Sequence, residues 1–118
     1  MGVRFVLGTD MGAGFSLEHD PTPAYGWSSH IEMESMVKAG LTPSEVITAA
    51  TRNSAQILGL NQLGTVASGK NADFLVLDAN PLDNIANTRR ISRVYLRGGQ
   101  VDRASLRTQL KRGSPTHG

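Results

Sequence analysis

The sequence predicts an α/β fold, and three observations carry the prediction. Val3 to Leu7 is an almost unbroken apolar run, residues 29–59 hold two helical patterns that each open on a capping signal, and short β-type runs follow from Phe74 onward. A chain of 118 residues fits one domain with a modest core. With 39% hydrophobic but only 5% aromatic residues, that core must be built from Val, Leu, Ile, Ala and Met.

Val3 to Leu7 reads as a strand buried on both faces, because its apolar residues scarcely alternate with polar ones. It stops at Gly8-Thr9-Asp10, and residues 11–28 hold Gly, Pro, Ser and aromatic residues without periodicity, the pattern of a long loop. Ser29-His30-Ile31-Glu32 matches a capping box with Ser29 as N-cap, Met33, Met36 and Val37 follow at helical spacing, and Gly40 supplies the stop. Thr42-Pro43-Ser44-Glu45 is a second capping box with proline at the first helical position, flanked by Leu41 and Val46 as a hydrophobic staple. That helix runs to about Leu58, where Gly59 ends it.

Beyond Gly59 the pattern changes to strands. Phe74 to Leu77 is bounded by Gly69-Lys70-Asn71 and Asn80-Pro81; Arg93 to Arg97 is a second run, with Gly98-Gly99 as the two-residue turn of a hairpin returning through Gln100 and Val101. A short helix is expected from Ser105, and disorder from Gly113 to Gly118. The later strands are antiparallel and hairpin-linked, so they suit a separate small sheet. A first strand buried on both faces needs a neighbour on each side, and it therefore looks like the end of something larger.

The absence of cysteine excludes disulfides and thiolate metal ligands. No apolar stretch approaches the ~20 residues of a spanning helix, so no membrane partner is expected. Basic residues crowd the last third, from Arg89 to Arg112, but only Tyr95 is interleaved as a stacking residue; a solvated basic surface is expected, with no nucleic-acid partner.

Asp10 reads in two ways. A carboxylate at the C-terminal end of a parallel strand is where α/β barrels place groups that bind cations or act as general base; an aspartate after a strand also caps the next turn. His30, in the first turn of a helix, suits either a substrate contact or packing or capping. His19 is read as an exposed loop residue and His117 as inert, and no histidine pair has metal-site spacing. GTVASGKN, residues 64–71, nearly matches a phosphate loop, but Asn71 replaces the Mg²⁺-binding hydroxyl and the segment leads into a strand, so it is rejected as a nucleotide site.

GTD closing the first strand, GLTPSEVITAATRNSAQILGL and LGTVASGKNADFLVLDANPL, in that order, resemble the C-terminal part of the metal-dependent amidohydrolases, in particular their imidazolonepropionase-like and dipeptidase-like branch. Residues 64–78 match the stretch where that family's chain returns from a TIM-like (β/α)8 barrel to a small composite β-sandwich. The resemblance implies a division into residues 1–60, the last barrel strand and its helices; 61–104, returning sandwich strands; and 105–118, a tail. It gives Gly64, Gly69 and Lys70 the shaping of a turn between sandwich strands.

By the same resemblance, Asp10 matches the aspartate after the last barrel strand, both metal ligand and catalytic proton carrier, with a divalent metal, zinc, as cofactor. The implied reaction is hydrolysis of an amide or cyclic-amide C–N bond of a small molecule by metal-activated water. His30 falls near the substrate, and Tyr25 or Trp27 at the pocket rim. The family's H-x-H, bridging lysine and two further histidine ligands are absent, and would lie upstream of Met1. The chain is thus expected to be a C-terminal fragment, inactive alone and prone to homo-oligomerise through its exposed strand. The alternative is a stand-alone, non-catalytic α/β interaction domain.

Overall fold

The computed structural model describes residues 2–9 and 26–113. Expectations for Asp10, His19, Tyr25 and His117 concern residues outside these. The described chain is mixed α/β: α1 (Ser28–Lys38), α2 (Pro43–Thr48), a π-helical turn (Ala49–Asn53), α3 (Ser54–Ile57), β1 (Phe74–Leu77), a 3-10 helix (Ile85–Arg89), β2 (Ile91–Leu96), β3 (Gly99–Gln100) and α4 (Arg103–Gly113).

The strand expected at Val3–Leu7 is not formed. Residues 2–9 carry no strand, and Val3, Phe5 and Val6 are exposed. A strand exists only through ladder bonds to a neighbour, and no described residue supplies one. The segment instead lies against the α2–α3 rod: Asn53 Nδ2 donates to Phe5 O at 3.0 Å, and Arg4 Nη1 to Gln56 Oε1 at 3.3 Å. Only Leu7 packs against the core.

Helix α1 begins one residue before the expected Ser29 cap. Trp27 is the N-cap and its side chain makes no capping bond. The Trp27 carbonyl accepts from His30 N at 3.1 Å and Ile31 N at 3.3 Å, which places Ser29 and Glu32 inside the helix. The expected stop is found: Gly40 N donates to Val37 O and Leu41 N to Met36 O, the paired bonds of a Schellman end.

The second capping box forms as expected. Glu45 N donates to Thr42 Oγ1 at 3.2 Å and Thr42 N to Glu45 Oε2 at 3.3 Å, with Pro43 in the first turn. The rod continues through α3 to Gly59, closed by bonds from Gly59 N to Gln56 O and Leu60 N to Ala55 O. Its middle is wound as a π turn, which periodicity does not foretell. Hydroxyls feed the backbone there: Thr51 Oγ1 donates to Ile47 O and Ser54 Oγ to Ala49 O, each at 2.7 Å.

Met33, Val46 and Ile85 form the core cluster, joined by Leu7, Met36, Val37, Leu41, Ile47 and Ala50. Burying Val46 completely contributes about 1.5–3 kcal/mol. Ile85 arrives from the other side of the sequence, on a loop held by asparagines. Asn80 Oδ1 accepts from Leu82 N, Asn84 Oδ1 accepts from Ala86 N, and Asn87 Nδ2 donates to Asn80 O.

The sheet is antiparallel in the order β1-β2-β3, with Phe74 opposite Tyr95 and their rings stacked at 4.6 Å. Strand β2 starts at Ile91, two residues before the expected Arg93, and the hairpin turn is Arg97-Gly98 instead of Gly98-Gly99. Both turn residues have positive φ, 51° and 79°, as the right-handed twist of a two-residue hairpin requires. Arg97 N is held by Asp73 Oδ1 at 2.7 Å.

Helix α4 starts at Arg103, ahead of the expected Ser105, because Asp102 Oδ1 accepts from Ser105 N at 3.0 Å. Among the described residues, no helix is long and apolar enough to cross a membrane.

Candidate functional site

The asparagine-braced loop sets the 3-10 helix against the first turn of α1, and a cluster of polar side chains forms at this joint. His30 Nδ1 lies 2.9 Å from Thr88 Oγ1, and the His30 ring meets Trp27 edge-on at 6.4 Å. Arg89 Nη2 donates to Glu34 Oε2 at 2.7 Å, and its guanidinium carbon sits 4.3 Å from the centroid of the Trp27 ring.

Burial lowers the His30 pKa from its ordinary 6.5; the positive charge of Arg89 adds to the lowering, and Glu34 opposes it. Neutral imidazole fits the geometry, since one ring nitrogen is taken up by a hydroxyl that can donate or accept.

Arg89 carries a cost. Its Nε is buried without a hydrogen-bond partner among the described residues, which costs about 1–3 kcal/mol. Its partly exposed pair with Glu34 is worth about 0–1 kcal/mol. The stacking on half-exposed Trp27 adds about 0.5–1 kcal/mol. The gains and the cost roughly cancel, so the cluster is better described as a joint that sets position than as a source of stability.

The sequence singled out His30, and Trp27 as a rim residue. Thr88, Arg89 and Glu34 escaped it, because the pairs they form span 58 and 55 residues and no local spacing marks them. Asp10 lies outside the described residues, directly after Thr9. Among the described residues, no three His, Cys, Asp or Glu side chains could hold a metal ion. These residues therefore do not make a metal centre by themselves.

The GTVASGKN segment behaves as a structural turn. The Lys70 ammonium donates to Asn61 O and Asn71 N donates to Gln62 O at 2.9 Å, so the lysine is engaged and no helix follows. Gly64 contributes less to that turn than to its seat on the helical rod: a Cβ there would lie 2.7 Å from Ala55 Cβ and 2.9 Å from Thr51 O.

The amidohydrolase family model matches residues 1–101. The chain belongs to the amidohydrolase family. It is 34% identical over 104 residues to an imidazolonepropionase of Deinococcus radiodurans, covering 85% of this chain and 24% of that protein. Among solved structures it resembles molinate hydrolase, with a TM-score of 0.69 and 31% identity over 93% of this chain and 25% of the other. It also resembles phenylurea hydrolase B, with a TM-score of 0.62 and 46% identity over 67% of this chain and 18% of the other. The chain thus spans a quarter or less of the length of each of these proteins.

Proposed function

We propose that this chain supplies the C-terminal part of a metal-dependent amidohydrolase that hydrolyses C–N bonds of small amides or cyclic amides. The observation that carries the reading is the family match over residues 1–101. Its relatives' names point the same way: imidazolonepropionase and phenylurea hydrolase are both named for substrates with hydrolysable C–N bonds.

In this reading residues 1–60 are the last strand and helices of a TIM-like barrel, residues 61–104 are returning strands of a composite β-sandwich, and 105–118 are a tail. The exposure of Val3, Phe5 and Val6 supports it, since an apolar run built for burial lies uncovered. Asp10 would be the residue of this chain that holds the metal, and its carboxylate would serve as the proton carrier of the hydrolysis. A divalent metal, zinc, would supply Lewis acidity once further ligands complete the site. His30 faces substrate through Nε2, its other nitrogen being occupied by Thr88. Alone, the chain is inactive, because one carboxylate cannot hold a metal against water.

Calorimetric titration of zinc and manganese into this chain and its Asp10→Ala variant tests the proposal, with circular dichroism as the folding check. No tight binding by either is expected. Joining the chain to a segment that carries the missing histidines should then create a site that Asp10→Ala weakens. Tight binding by the 118-residue chain alone would overturn the fragment reading.

A further inference from the structure

Helix α4 has no buried residue, so packing against the rest of the chain does not account for it. Only its root is fixed: Asp102 Oδ1 accepts from Ser105 N, and Arg103 Nη1 donates to Ile91 O at 2.7 Å. Beyond that root Leu106 is 47% exposed and Leu110 73% exposed. The two leucines lie one turn apart on one stripe, and Arg103, Arg107 and Lys111 follow one another on the neighbouring stripe. An 11-residue helix is marginal in water unless a surface covers its apolar side.

The charge of the chain is divided along its length. Residues 89–118 hold eight of the 12 basic residues and one of the 10 acidic ones, Asp102, which is engaged as the cap of α4. Among the described residues the one ion pair is Arg89 with Glu34, so no carboxylate neutralises the cations of α4. Arg93 of β2 joins them, lining a cavity together with Arg103. The helix also begins beyond residues 1–101, the stretch on which family membership rests.

We propose that α4 docks the chain on an anionic lipid surface, with Leu106 and Leu110 toward the acyl chains and Arg107 and Lys111 on the headgroups. The helix lies on this surface without spanning it, because among the described residues no helix is long and apolar enough to cross a membrane. A nucleic acid would meet the cations but leave the leucines in water, and Tyr95, the one aromatic interleaved with them, already stacks on Phe74. An acidic protein would need carboxylates fixed opposite cations that come from both helix and sheet. Mobile anionic headgroups gather under each cation wherever it lies.

The test is cosedimentation of the 118-residue chain with phosphatidylcholine vesicles that contain or lack phosphatidylserine. Binding is expected only with phosphatidylserine, and should be lost at ~0.5 M salt, where screening acts within a few ångströms. Arg107→Glu combined with Lys111→Glu should weaken it at least about 25-fold, roughly fivefold for each cation removed. Phe5→Lys, in the exposed apolar run at the other end of the chain, should leave binding unchanged, which separates docking from adhesion of aggregates. If the double variant fails to fold by circular dichroism, Lys111→Gln decides, with a loss of about fivefold expected. Equal binding to both vesicles, loss of binding in Phe5→Lys, or unchanged binding in a folded α4 variant would overturn the proposal. So would a chain that ignores the vesicles but binds single-stranded RNA or polyglutamate.

Discussion

Gly64 rests directly on Ala55: a Cβ at Gly64 would come within 2.7 Å of the Ala55 methyl, and within 2.9 Å of the Thr51 carbonyl. The contact falls where the rod passes from its π turn, Ala49–Asn53, into α3, and it joins the rod to the chain that leads toward the sheet. Gly64 also has φ of 92°, so a side chain there faces both backbone strain and a backbone carbonyl that cannot move aside.

Gly64→Ala should therefore destabilise the chain by about 2–3 kcal/mol, read from urea denaturation. Gly69→Ala is the control. Its φ is 81° but its Cβ would meet nothing within 4 Å, so only the strain of about 1 kcal/mol applies. Equal losses at the two sites would show that the seat on Ala55 contributes nothing.

The Thr42–Glu45 capping box is the best-formed local element, and Thr42→Ala should cost about 1 kcal/mol. Ser29→Ala, at the box that does not form, should change stability by less than about 0.5 kcal/mol. The pair of thermal denaturation midpoints checks both.

Stability should depend on pH through His30. Its folded pKa lies below the unfolded value of 6.5, so the unfolded state binds more protons across this window. Its contribution is fully present above 6.5 and is lost as pH falls through 6.5 toward the folded pKa. Denaturation midpoints between pH 8 and pH 5 should fall less steeply in His30→Asn than in the parent chain; parallel curves would refute the coupling.

The apolar run at the start should drive association. Phe5 is 47% exposed and Val3 77% exposed, so Phe5→Lys should leave secondary structure intact while reducing light scattering at high concentration. Unchanged scattering would place the associating surface elsewhere.

The sequence by itself determined the features that depend on neighbours a few residues apart. The Thr42–Glu45 box, the ends at Gly40 and Gly59, the strand at Phe74–Leu77 and the family motif at 64–78 were all legible, because capping and turn chemistry act locally. The hairpin was legible with its turn displaced by one residue, since Arg97 accepts positive φ that a Gly-Gly pair suggested elsewhere.

Tertiary structure decided the rest. Val3–Leu7 has strand composition, yet composition makes no ladder without a neighbour to bond. The N-cap of α1 moved to Trp27, a residue stacked beneath Arg89. The joint of His30 with Thr88 and Arg89 with Glu34 exists only once α1 and the loop before β2 are packed together, and the seat of Gly64 only once the chain beyond Gly59 folds back onto the rod. The physical reason is separation along the chain: contacts between side chains more than fifty residues apart leave no periodicity or spacing, and only packing brings them within bonding distance.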